Sequence, residues 1–215
     1  MKLVIANKNY SSWSMRPWLL LKHFGIPFEE IQVWLDQPDT REQILKYSPS
    51  GRVPALIDDR GHAIWDSLAI AETLAERFPQ HALWPVNPAA RGLARSISAE
   101  MHSGFTDVRQ TMPMNIKISR PDIGRRDEVR DSVSRIDALW RQCLAASGGP
   151  FLFGEFCIAD AMYAPIVMRF NSYQPGGLSA ESLAYIERVK ALPAVREWID
   201  GSKDEPAIQY YDAIA

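Results

Sequence analysis

Cysteine is scarce in this chain of 215 residues. Only Cys143 and Cys157 are present, and they fit no metal or redox spacing. They read as small buried thiols, with no disulfide expected in a reducing compartment. The four histidines, His23, His62, His81 and His102, form no cluster with ligand spacing, so no metal site is expected. No apolar run reaches the roughly eighteen residues of a membrane-spanning helix. The N-terminal MKLVIANKNYSSW has one early lysine and an apolar run too short for a signal peptide, and a cytoplasmic protein is the expectation. Neither sign of charge is in excess. A net charge of −2 and a pI of about 6.1 argue against nucleic acid or a membrane surface as partner.

What is present is an ordinary globular composition, 47% hydrophobic and 23% charged, in a chain long enough for one large domain or two small ones. The organising stretch is residues 48–70, SPSGRVPALIDDRGHAIWDSLAI. A loop rich in Pro, Ser and Gly leads into an apolar run at 53–57. Asp58-Asp59-Arg60-Gly61 marks a turn, and Ala63-Ile64-Trp65 reads as a second short strand. Proline has no N–H to give a sheet, so Pro54 points to a special geometry at Val53-Pro54, with a cis bond as the natural form. Such a bend would leave the polar groups of Val53 free for an extended, peptide-like ligand. Asp66 and Ser67 stand where a helix opens, and free N–H groups there hold an anion such as a ligand carboxylate.

Around this stretch the chain alternates strands and helices. Residues 2–6 read as a buried strand, 16–24 as a helix with Pro17 in its first turn, and 30–34 as an alternating strand. That unit implies a parallel strand pair. A short helix follows over 40–47. Pro79, Pro85 and Pro88 then punctuate a linker, placed at 81–88, between an α/β domain over 1–80 and an all-α domain over 89–215. In the second part, 89 to about 117 reads as a helix that Pro113 kinks or ends. Residues 122–146 place Val129, Val133, Ile136, Leu139, Trp140 and Leu144 on one face. Helices over 158–170, 179–192 and 194–199 complete a bundle. Cys157-Ile158-Ala159-Asp160 has the form of a capping box with sulfur in place of the hydroxyl. Asp160 must therefore do most of the capping, at a stability cost of order 1 kcal/mol.

The loop Asn9-Tyr10-Ser11-Ser12-Trp13-Ser14-Met15-Arg16 is a second chemical centre. A hydroxyl at a helix N-terminus can donate to an anion, aided by the dipole, or can simply cap the helix. If the anion is a thiolate, lowering the thiol from roughly 8.5 by about two units needs about 2.7 kcal/mol. One charge-assisted hydrogen bond plus the dipole is of that size. Arg16 reads as a structural cation paired with a carboxylate.

The order S-P-x-G-x-V-P-x-L, a turn, then D-S-x-A-I resembles the glutathione-binding half of the soluble glutathione transferases. S-S-x-S-x-R resembles the zeta-class motif S-S-C-S-x-R, with Trp13 in place of the cysteine. The resemblance implies a thioredoxin-like domain, a mixed four-stranded sheet with helices, followed by an α-helical bundle. It implies glutathione as cosubstrate, with no metal. Arg52, Val53 and Pro54 would hold the tripeptide through a cis Val53-Pro54 bond, and Asp66 and Ser67 its γ-glutamyl end. Ser11 is the first choice for the thiolate donor and Ser12 the second. Trp13, Met112 and Asn115 are candidates for the electrophile's pocket, with Met114 beside them. A homodimer is implied, in which Glu100 and His102 would reach glutathione across the interface. The function implied is attack by activated glutathione on a hydrophobic electrophile, in detoxification. The alternatives are a zeta-type isomerase, for which Trp13 is a departure, and a non-catalytic binding or stress-regulatory relative.

Overall fold

The computed structural model describes residues 1–214. Leu3, Val4 and Ile5 are all fully buried, so β1 (Lys2–Ile5) is covered on both faces and sits inside its sheet. β2 (Glu29–Gln32) pairs with it in parallel, and β3 (Ala55–Ile57) pairs with it antiparallel on the other side. β4 (Ala63–Trp65) closes a hairpin on β3, giving the order β2-β1-β3-β4. The Val53-Pro54 peptide bond just ahead of β3 is cis. This is the mixed four-stranded sheet that the strand pattern implied.

α1 (Ser12–His23) starts at Ser12 rather than at Arg16. The side chain of Ser11 accepts the Ser14 N–H at 3.4 Å, so the loop expected before the helix winds into its first turn. Pro17 then lies inside the helix, and its missing N–H leaves the Trp13 carbonyl without the usual helical donor. α2 (Thr40–Leu45) is short, and α3 (Ser67–Arg77) follows β4 directly.

The helical part departs from its periodicity in two places. α4 (Pro88–Ser103) stops at Gly104 instead of running to Pro113, because Phe105 turns left-handed at φ 55°. α5 (Thr106–Thr111) restarts, and 112–120 runs without regular structure. The helix expected over 122–146 is three pieces: α6 (Pro121–Gly124), a 3₁₀ turn at Asp127–Val129, and α7 (Arg130–Ser147). Gly124 explains the break. A Cβ there would stand 2.0 Å from the Tyr173 carbonyl oxygen, so only glycine lets the chain pass. α8 (Ile158–Tyr173), α9 (Ala180–Ala191), α10 (Pro193–Ser202) and α11 (Gln209–Ile214) complete the chain. No element was expected over 209–214.

α8 is buried all round. α1 packs against it from one side and α4 from another. One apolar core therefore runs from Leu3 and Ile5 of β1 through Leu19 to Val167 and Trp198. At the start of α8, Asp160 is fully buried and accepts from the backbone N–H of Cys157 at 3.0 Å and Leu152 at 3.1 Å, and from the Tyr185 hydroxyl at 2.9 Å. Burial pushes its carboxyl up to about 6 against those three donors.

Two stability measurements follow. Gly124→Ala should lower the urea unfolding free energy by about 3 kcal/mol, because backbone and not a side chain must yield. Cys157→Ser gives the cap a stronger acceptor and should raise stability by about 1 kcal/mol, or about 2–4 °C in Tm. An unchanged or lower Tm would show that sulfur already suffices there.

Candidate functional site

Two clefts open on either side of Trp13, each of about 500 Å³. Val53, Asp66, Ser67 and His102 line the first; Ser11, Ser12, Arg109, Met114 and Arg169 line the second. Trp13, Arg52 and Val53 line both.

The first cleft is built on the start of α3. Asp66 is its N-cap, with Oδ1 accepting from Leu68 N–H at 2.8 Å and Ala69 N–H at 3.3 Å. Its backbone is held at φ 74°, ψ 131°, a region that L-residues avoid and that stores strain of order 1–3 kcal/mol. His102, from the last turn of α4, lies 3.1 Å from Asp66 Oδ2 through Nε2. Desolvation holds the His102 imidazole below its ordinary value, and Arg16 and Arg109 push the same way while Asp66 opposes them. Ser67 is buried, and its hydroxyl accepts from Arg16 Nη1 at 3.3 Å.

Arg16 corrects an expectation. It is 2% exposed and has no carboxylate within ion-pair distance among the described residues. It lies instead over the Trp13 ring at 4.4 Å. Burial is the main influence that lowers its guanidinium, and Asp66 opposes that at longer range. Arg109 covers the same ring at 4.7 Å, and the His102 ring meets it edge-on at 5.3 Å.

In the second cleft the two adjacent serines differ. Ser11 is buried at 7% exposure, and its hydroxyl donates to Ser14 Oγ at 2.7 Å. Ser12 is half-buried and accepts from Arg169 Nη2 at 3.4 Å.

Of the pocket residues expected from the sequence, Trp13 lines both clefts, and Met114 lines the second. Met112 and Asn115 do not. Met112 is fully buried in the core, and only its carbonyl acts, accepting from Arg169 Nε at 2.8 Å. Asn115 is 1% exposed and consumed by hydrogen bonds to Asn9 at 2.9 Å and Asp212 at 2.8 Å. Residues 112–115 are buried, and the Asn115 side chain is spent on tying this segment to Asn9 and Asp212. Glu100 pairs with Arg135 in the same chain at 2.8 Å, and His102 with Asp66 of the same chain at 3.1 Å. Arg109 and Arg169 were missed. Arg169 carried a signal, as the lone cation in an apolar helical run. No group of acidic, histidine or cysteine side chains with metal-binding geometry occurs among the described residues, and no described helix is long and apolar enough to cross a membrane.

Residues 10–77 match the model of the glutathione S-transferase N-terminal domain, and residues 123–201 that of the glutathione S-transferase C-terminal domain. The chain is 28% identical over 193 residues to a stringent starvation protein A homolog of Haemophilus ducreyi, covering 86% of this chain and 83% of that protein. It is 24% identical over 211 residues to glutathione S-transferase GstB of Escherichia coli K12, covering 96% of each. Its fold matches that of a glutathione transferase homolog from Burkholderia, solved with bound glutathione, at a TM-score of 0.72 and 24% identity over 95% of this chain and 98% of that one. With both of its halves matched in order, the chain belongs to the glutathione S-transferase family.

Proposed function

We propose that the chain is a glutathione S-transferase that ionises the thiol of glutathione and delivers the sulfur to an electrophilic small molecule. The tripeptide lies along the backbone of Val53. Its γ-glutamyl ammonium meets the half-exposed carboxylate of Asp66 beside His102. Its γ-glutamyl carboxylate meets Ser67 and the open N-terminus of α3, with buried Arg16 behind them. Arg52, exposed at the mouth of both clefts, is a cation for the carboxylate at the other end. The thiol then faces the first turn of α1, and the electrophile enters the second cleft. The observation that carries this reading is that the two clefts adjoin, sharing Trp13, Arg52 and Val53 in their linings. A ligand that spans both is extended, is charged at its first end and ends at serine hydroxyls. The reading keeps a division into an α/β part over 1–80 and a helical part over 89–215, and a homodimer as the assembly.

A relative whose name speaks of starvation rather than transfer makes binding without turnover the rival. Calorimetry with glutathione should give a Kd between micromolar and millimolar, and turnover of a panel of electrophiles separates the enzyme from a binder. No heat at millimolar glutathione would end both glutathione readings. Asp66→Gly should weaken glutathione at least tenfold, about 1.4 kcal/mol. The same change should leave Tm level or higher, because glycine accepts the positive φ and still caps the helix tolerably. A parallel fall in Tm and affinity would make Asp66 a structural residue only.

A further inference from the structure

His102 stands on the last turn of α4, and its imidazole lines the first cleft from the helical part of the chain. Nε2 lies 3.1 Å from Asp66 Oδ2. A carboxylate oxygen can only accept, so Nε2 carries the ring proton and Nδ1 the lone pair. Nδ1 is buried with no hydrogen-bond partner. A second proton there would make a buried, charged N–H without an acceptor.

The neighbours also oppose a charge on this ring. α1 supplies Arg16 and the edge-on Trp13 ring, and α5 supplies Arg109, whose Nη2 donates to the His102 carbonyl at 3.0 Å. From α8, Arg169 adds its charge behind Arg16, and the Tyr163 hydroxyl is spent on the Ile97 carbonyl at 3.2 Å. On α4 itself Glu100 turns to Arg135 of α7. Asp66, at the start of α3, pulls the other way. Burial is the largest of these influences, and together they hold the imidazole below its ordinary value, so it is neutral at neutral pH.

The two oxygens of Asp66 are therefore both oriented by neutral donors. Oδ1 accepts from the Leu68 and Ala69 N–H groups, and Oδ2 from His102. Neutral donors aim a carboxylate without cancelling its charge, which a lysine or arginine at 102 would do. Asp66 remains a net anion with a fixed direction. A proton on Nδ1 would turn His102 into a cation that answers Asp66 from within the chain. That proton and a ligand's ammonium then compete for one carboxylate.

We propose that His102 is a positioning residue for glutathione, a neutral donor that aims Asp66 at the γ-glutamyl ammonium, and that protonation of His102 weakens the hold on the tripeptide. This rests on the glutathione reading above. The coupling is reciprocal, because bound glutathione brings a positive charge beside the ring and drives its proton off.

The test is calorimetry with glutathione on the full chain between about pH 7.5 and about pH 5.5, joined to a nuclear magnetic resonance titration of the imidazole C–H signals. In the wild type Kd should rise on the acid side, by up to about tenfold per pH unit below the midpoint of the free ring. The ligand's own ammonium titrates on the alkaline side and produces no acid limb. His102→Leu removes the donor and should weaken glutathione about tenfold near neutrality, in KM rather than kcat. His102→Gln sets an amide donor in the place of Nε2 and takes no proton. It should rescue most of that loss and bind glutathione with no acid limb. The resonance missing from His102→Gln identifies His102, and in the wild type its midpoint should fall when glutathione is added. An acid limb that persists in His102→Gln, or a His102 midpoint unmoved by saturating glutathione, overturns the inference. If His102→Leu does not fold, His102→Gln and the midpoint decide. Glutathione that binds with an unmoved midpoint removes this inference alone, whereas no binding near neutrality removes the reading beneath it as well.

Discussion

Irregular backbone buried inside a protein must find hydrogen bonds that neither helix nor sheet provides. Residues 112–117 face that constraint here, and the side chain of Asn9 meets it. Its Oδ1 accepts from the Ile116 N–H at 2.8 Å and the Lys117 N–H at 3.1 Å, and its Nδ2 donates to Asn115 Oδ1 at 2.9 Å. Asn9 is held in turn by Glu205, which accepts the Asn9 N–H at 2.8 Å and the Lys8 N–H at 2.6 Å. Next door, the Tyr10 hydroxyl donates to Asp212 at 2.9 Å and accepts the Ile208 N–H at 3.0 Å. The loop that carries the serines leaves the sheet, yet the helical part of the chain fixes where it points. The hydroxyls of α1 and the segment opposite them are tied together by those bonds.

That rigidity lets the clefts hold groups that are costly elsewhere. Asp66 keeps a positive φ. Arg16 and Arg109 each bury an Nε without a partner, and His102 buries an Nδ1 in the same state. Each such group costs about 1–3 kcal/mol, a large share of the 5–15 kcal/mol that separates a folded domain from its unfolded chain. Arg16, Arg109 and His102 all contact the Trp13 ring; other buried unpartnered atoms among the described residues, Asn7 Nδ2, Ser98 Oγ and Trp140 Nε1, belong to none of these groups.

The sheet was legible because its signals are local. Leu3-Val4-Ile5, Pro54, the Asp58–Gly61 turn and the cap at Asp66 each act within a few residues, and the strands lie where those residues put them. The helix ends were not legible where tertiary contact decides them. The periodicity over 122–146 runs past Gly124, and only the approach of Tyr173 shows why the chain must break there. The start of α1 was hidden because serine and proline argue against helix on propensity, while Ser11 supplies the cap that outweighs them. The serines, Val53, Asp66 and Ser67 could be placed at the site by motif. The arginines that face them could not, since Arg109 and Arg169 come from separate helices, far apart in the chain, and line one cleft only after folding. Met112 and Asn115 failed for a related reason. Nothing local distinguishes a segment that lines a cavity from one that is itself enclosed.

Trp13 joins these observations. It stands where the zeta-class motif has cysteine, and the substitution changes the electrostatics rather than removing a thiol alone. The indole ring has a guanidinium on it at 4.4 Å from Arg16 and another at 4.7 Å from Arg109. The negative π faces attract both cations, each contact worth about 0.5–2 kcal/mol in a desolvated setting. Arg16 also donates to Ser67, which lines the first cleft, and Arg109 lines the second. A ligand crossing from one cleft to the other meets positive charge at both ends of its path, and the wall that divides the clefts is the residue that makes this arrangement stable.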